Sequence, residues 1–401
     1  MSNIMDYMEW RGDILFSTSD INEIDNLIFS FLSYVEFDDI VPDVHCQKSI
    51  SLEEANRLFW ERYTEEMVKE RNINTWESTV CLRKMAECER FRNVRLSRYV
   101  NRIDLDEVMQ FSAVTIEYKP GAFFIAFRGT DSSIVGWKED FYLTFQTVAA
   151  EKAAENYLNY VGSLLPGSII LGGHSKGGNL AVYAAKNAHC QIQDKIKAVY
   201  INDGPGFRKN EMETERYQRI KDRVHSFVPE TSIVGMLLYH EENYQTVKSS
   251  AAGFKQHECL SWQVQGPHFV YLDKQSEQGK IYDQALSGWI DSMSYAERKE
   301  FVEALFGALE RAGIHNLNDL TEGNRLEIIH DILLEMRSDE EGMQVIRAAG
   351  KSLLEETAKS FSGAVRESLL VWKEKSRKSL QKQDAYKLFI KEKDEETGEE
   401  K

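Results

Sequence analysis

A serine flanked by glycines two residues away on either side, Gly173-His174-Ser175-Lys176-Gly177, closes the apolar run Ile169-Ile170-Leu171 and leads directly into helix formers from Leu180 to Lys186. Strand, sharp turn and helix in that order form the setting that lifts a serine hydroxyl to the carboxyl end of a sheet as a nucleophile. The glycines leave room for the strained backbone, and the amide of Lys176 points at the place where an oxyanion would form. No Gly-Lys-Ser/Thr ends the turn, so it is not a phosphate loop.

A serine hydroxyl attacks only when a base takes its proton and a third group orients that base. Of nine histidines, His174 sits inside the turn and is expected to point away, while His189, His225, His315 and His330 fall in helical or strand-interior contexts that require no chemistry. His240, His257 and His268 follow the serine in loops, where the chain order serine, acid, histidine places the base. His257 is the best placed, in Gly253-Phe254-Lys255-Gln256-His257-Glu258 ahead of an apolar stretch. Two carboxylates end strands after the serine: Asp203 in Asn202-Asp203-Gly204-Pro205-Gly206, and Glu230 beside Pro229. Either can orient the imidazole; Asp203 is the expected acid and Glu230 the alternative. Upstream, Phe127-Arg128-Gly129-Thr130 supplies an amide and a hydroxyl at Thr130 for an oxyanion, and Arg128 is expected to hold its loop through carboxylates.

These groups need a scaffold that brings several strand ends to one edge. Residues 113–118 and 122–127, joined by Lys119-Pro120-Gly121, read as a hairpin with a tight turn. Short apolar runs at 169–171, 196–201 and 223–228 alternate with helical segments, the pattern of a largely parallel sheet covered on both faces. Residues 244–249, 260–264 and 268–272 are expected as further strands at the far edge, and 20–32 and 52–67 as amphipathic helices. In open α/β sheets, ligands bind at the carboxyl ends of the strands.

All six prolines lie at or before Pro267, after which helix follows helix. The expected division is therefore an α/β body over residues 1–287 and a helical extension over 288–401 with a charged, disordered end. In the extension, Ser294-Tyr295-Ala296-Glu297 and Ser338-Asp339-Glu340-Glu341 have capping-box form. Leu354, Ala358, Phe361, Val365, Leu369 and Trp372 form an apolar stripe that must be covered by the body or by a second copy of the chain, because an isolated amphipathic helix draws its stability from packing. Over the 401 residues, 42% are hydrophobic and the net charge is −16, which argues against a nucleic-acid partner. No run approaches the roughly 18 apolar residues of a membrane span, and the first residues lack the pattern of a signal peptide. Five scattered cysteines with no Cys-x-x-Cys argue for a reduced, cytoplasmic setting with neither a disulfide framework nor a zinc site.

Together, Phe127-Arg128-Gly129-Thr130, Trp137, the Gly-His-Ser-x-Gly-Gly turn and His257 followed by Trp262 resemble class-three triacylglycerol lipases. Gly136-Trp137-Lys138-Glu139-Asp140-Phe141, Asp203-Gly204-Pro205-Gly206-Phe207, Ser232-Ile233-Val234-Gly235-Met236-Leu237-Leu238 and Gln256-His257 resemble more closely a related lipase-like family of Gram-positive bacterial proteins. The resemblance spans residues 1–290. It implies an α/β-hydrolase fold with Ser175 as nucleophile, His257 as base and the amides of Thr130 and Lys176 as oxyanion hole, acting on an acyl lipid or small ester with no cofactor or metal. Where the lipases carry Asp-x-Val-Pro, this chain has Ser232-Ile233-Val234-Gly235, and Lys176 replaces a leucine. The acid is then Asp203 or Glu230, or the set is incomplete. An incomplete set would leave a non-catalytic scaffold whose helical tail binds a protein partner.

Overall fold

The computed structural model describes residues 2–71, 73–131, 133–238, 244–314 and 340–360. Nine strands form one sheet in the order β1 (Ile50–Ser51), β2 (Arg95–Asp104), β3 (Met109–Lys119), β4 (Ala122–Phe127), β5 (Ser168–His174), β6 (Ile196–Asn202), β7 (Val224–Pro229), β8 (Gln245–Val247) and, at the far edge, Tyr271–Leu272. β4 to β8 run parallel, and the outer pairs are antiparallel. β3 and β4 form the expected hairpin, with Gly121 at φ 73° in its turn.

Alternation along the strands explains the two faces. Val114, Ile116, Phe124 and Ala126 join one apolar core with Phe29, Leu32 and Phe91, under the helices Glu23–Leu32 and Ile73–Glu87. Ala113, Phe123, Ile125 and Phe127 face a second core with Leu158, Leu180 and Val182, under the helices Ala149–Leu164 and Lys176–Asn187. A nearly continuous apolar sequence in the central strands is what burial on both faces requires.

The far edge differs from expectation. Residues 260–264 supply only Val264–Gln265, which pairs with His268–Phe269 in a separate two-stranded ladder, while Cys259–Ser261 is a 3₁₀ turn. The helix Glu277–Asp291 crosses position 287, so the expected boundary falls inside an element. It packs with Tyr295–Arg311 and Glu340–Ser360, and Phe301 and Phe306 pack edge-on or tilted against Phe141 of the body. Ser294 and Glu297 form the expected capping box. His240, His315, His330, the Ser338 box, the side chains of Leu354 and Ala358, and everything from Phe361 onward lie outside the described residues.

Candidate functional site

The ends of the parallel strands meet as their order demands. β5 runs into Ser175, whose backbone is at φ 56° and ψ −135°, a conformation costly to any residue but glycine, on the order of 1–3 kcal/mol. Close approach of the turn to its surroundings allows it. A Cβ on Gly173 would lie 2.2 Å from the carbonyl carbon of Gly177, and one on Gly177 would lie 2.1 Å from the Phe127 carbonyl oxygen. Ser175 N–H donates to the Asn202 carbonyl at 2.9 Å, and Asp203 N–H to that of Phe227 at 2.8 Å. Asn202 is itself clasped by Asn26 at 2.9 Å.

His257 ends the short helical turn Gly253–His257, and its Nδ1 lies 2.6 Å from Asp203 Oδ2. Asp203 Oδ1 accepts from Ser232 Oγ and, at 3.1 Å, from Gly235 N–H. Ser232, which stands where the lipases carry an acid, thus holds the carboxylate that arrives from the preceding strand. Glu230 offers its backbone to Val247 and Ser276. The carboxylate against the Nδ1 of His257 is that of Asp203.

His174 does not point uselessly away. Its ring is buried, with Nδ1 3.0 Å from Tyr34 Oη and Nε2 2.8 Å from the His257 carbonyl oxygen. Burial pulls its pKa well below the ordinary value. A neutral ring that donates from Nε2 and accepts at Nδ1 satisfies both contacts, so His174 fastens the backbone carrying His257. His268 sits on the distant ladder, 3.4 Å from Glu23.

The Lys176 ammonium turns away from solvent toward buried Glu139, 2.7 Å from its Oε2, and partly exposed Asp140, 3.7 Å from its Oδ1, with Gln110 alongside. Burial alone would lower its pKa, but these carboxylates outweigh burial and raise it. Burial pushes the Asp140 carboxyl up to about 6 despite the ammonium. The Thr130 hydroxyl donates to Asp140 Oδ2 at 2.5 Å, which commits that hydroxyl and leaves the amide as the group Thr130 can present. Arg128 is buried, 3.0 Å from Asn101 and 3.9 Å from Asp131.

Glu139 and Asp140 belong to the helix Ile134–Leu143, and Glu139 also accepts from the amides of Gln110 and Ala150. The helix is therefore a pinned wall. Sequence reasoning placed no role on these two acids, although they stood in the quoted Gly136–Phe141 run; a buried lysine after the serine requires a buried carboxylate somewhere, and that was the available signal.

Ser175, His257, Thr130 and Lys176 line one cavity of about 470 Å³ with Asp140, and its remaining walls are mainly apolar. That size is typical of a small-molecule site. Among the described residues no group of three or more His, Cys, Asp or Glu side chains is placed to hold a metal ion, and no helix is long and apolar enough to cross a membrane.

A mainly parallel sheet, a strained serine between strand and helix, and a histidine–carboxylate pair beyond later strands define an α/β-hydrolase fold. The chain belongs to the Mbeg1-like family, whose model matches residues 85–307, more than half of its length. Among solved structures, it is similar to M37 lipase at 16% identity over 52% of this chain and 68% of that one, with a TM-score of 0.32. It is also similar to Rhizomucor miehei lipase in its propeptide complex, at 12% identity over 63% and 82% of the respective chains, with a TM-score of 0.31. No curated protein matches.

Proposed function

We propose that this protein is a serine hydrolase of the lipase or esterase type, cleaving the carboxylic ester of an acyl lipid or smaller acyl compound through an acyl-enzyme. The observation that carries the reading is the Asp203–His257 contact at 2.6 Å, with His257 lining the same cavity as Ser175 at its strained turn. A carboxylate at that distance holds the proton on Nδ1, so Nε2 is the basic nitrogen. It takes the Ser175 proton as Oγ bonds to the ester carbonyl carbon, and the carbonyl π electrons move onto oxygen. The amides of Thr130 and Lys176 receive that oxyanion; Lys176 N–H is the first of a helix, where no carbonyl one turn earlier is available to it. Collapse expels the alcohol, protonated from His257. Water then adds to the acyl-enzyme by the same steps and releases the acid.

A fluorophosphonate probe tests this directly, because it bonds readily to an activated serine and not to an ordinary one. The wild-type chain should label and turn over p-nitrophenyl esters, and Ser175→Ala should do neither while unfolding at nearly the same temperature. Labelling that survives in the variant would falsify the nucleophile assignment; a wild-type chain that neither labels nor hydrolyses would leave the hydrolase-fold scaffold as the reading.

A further inference from the structure

The cavity is completed from outside the α/β body. Leu286, Trp289, Ile290 and Met293 reach it from the helix Glu277–Asp291 and its end, and Phe301 and Val302 from Tyr295–Arg311. Trp289 is held on two sides. Its indole Nε1–H donates to the Ala349 carbonyl at 2.9 Å, and its ring meets Phe301 edge-on at 5.5 Å and 89°. Trp289 and Ile290 share a small apolar core with Ala349 of the helix Glu340–Ser360, against which Leu353 also packs. Among the described residues the wall carries the guanidinium of Arg298, which gives Nε to the Met293 carbonyl at 3.0 Å and Nη1 to that of Thr144 at 3.3 Å.

We propose that these late helices form the acyl-binding wall of the site and that Trp289, braced by the Ala349 carbonyl, is the residue that limits the length of the acyl chain. A wall of this composition suits a hydrocarbon chain and gives little hold on a polar head group, so selectivity falls on the acyl side of the ester. A large flat side chain fixed at both its edge and its nitrogen stops a chain where a smaller one would let it continue toward Ala349 and Leu353. This rests on the hydrolase reading only for its kinetic half, since the cavity would bind a free fatty acid whether or not Ser175 reacts.

The experiment compares the full chain with Trp289→Leu and with Met293→Trp, which fills the cavity instead of enlarging it. Ratios of kcat/KM are measured for p-nitrophenyl octanoate and palmitate, and binding of octanoic and palmitic acids is measured by displacement of a fluorescent fatty acid in a Ser175→Ala background. Trp289→Leu should move both ratios toward palmitate by about tenfold or more, the scale on which an apolar pocket resolves methylenes, and Met293→Trp should move them toward octanoate. If Trp289→Leu does not fold, the opposite shift in Met293→Trp still decides. Ratios that stay fixed, or fall equally at all lengths, overturn the proposal and leave the hydrolase reading intact. Shifted binding ratios in a chain that hydrolyses nothing would support the wall and sink the hydrolase reading.

Discussion

Asp203 carries two burdens, a charge and a backbone shape, and the two are separable. Its φ of 50° lies in the left-handed region, which asparagine tolerates at least as well as aspartate. Asp203→Asn therefore tests the charge with the turn left alone, and turnover should fall on the order of 10⁴, as when an orienting carboxylate is lost elsewhere. Glu230→Gln should change little, because the carboxylate on the imidazole Nδ1 is that of Asp203. Steady-state kinetics on one ester rank the two, and the reverse ranking would move the acid to Glu230. Sequence alone favours Asp203, which ends the strand directly after the serine helix in a glycine-rich turn, over Glu230; what it does not show is Ser232, 29 positions from Asp203 in the chain and bonded to it in the fold.

The helix Ile134–Leu143 is fixed to the helix Lys176–Asn187 chiefly by the ion pair of Lys176 with Glu139, whose side chains are 1% and 0% exposed, with Asp140 the looser partner at 3.7 Å. Removing one partner strands the other charge in a place without water. Lys176→Met keeps the backbone amide and should cost about 3–5 kcal/mol in urea unfolding. Adding Glu139→Gln should recover a large part of that, and a single-variant loss under about 1 kcal/mol would show that the pair is dispensable. The elements themselves were largely legible: strand, turn and helix around Ser175, the hairpin and the parallel runs are short-range patterns written within about ten residues. The pairings were not. Lys176 with Glu139, Asp203 with Ser232 and His174 with the His257 carbonyl join positions that only the strand order brings together. The 260–264 stretch was misread for a related reason: an apolar run beside the edge of a sheet reads as a strand whether or not a neighbour remains to pair with it.

At the scale of the molecule, a chain ending at 287 retains Ser175, His257 and both acids, which from sequence suggested that chemistry could survive without the rest. The structure adds that Trp289, Val302 and Phe306 are buried and that two of them line the cavity. Large apolar side chains contribute about 1.5–3 kcal/mol each when buried. Deleting residues 288–401 should lower the melting temperature, raise binding of an apolar dye and cut kcat/KM for long esters well below that for short ones. A truncated chain as heat-stable and as selective as the full one would return the tail to the status of an independent module. The same late helices set an order of events during synthesis. The nucleophile turn emerges from the ribosome first, the His257 loop next, and the Ala349 brace about ninety residues later, roughly 5–20 s at ordinary elongation rates. Through that interval Ser175 and His257 would stand at a cleft that the Ala349 brace does not yet close, so the synthesis of that helix sets when the cleft is shielded and which molecules can reach it before then.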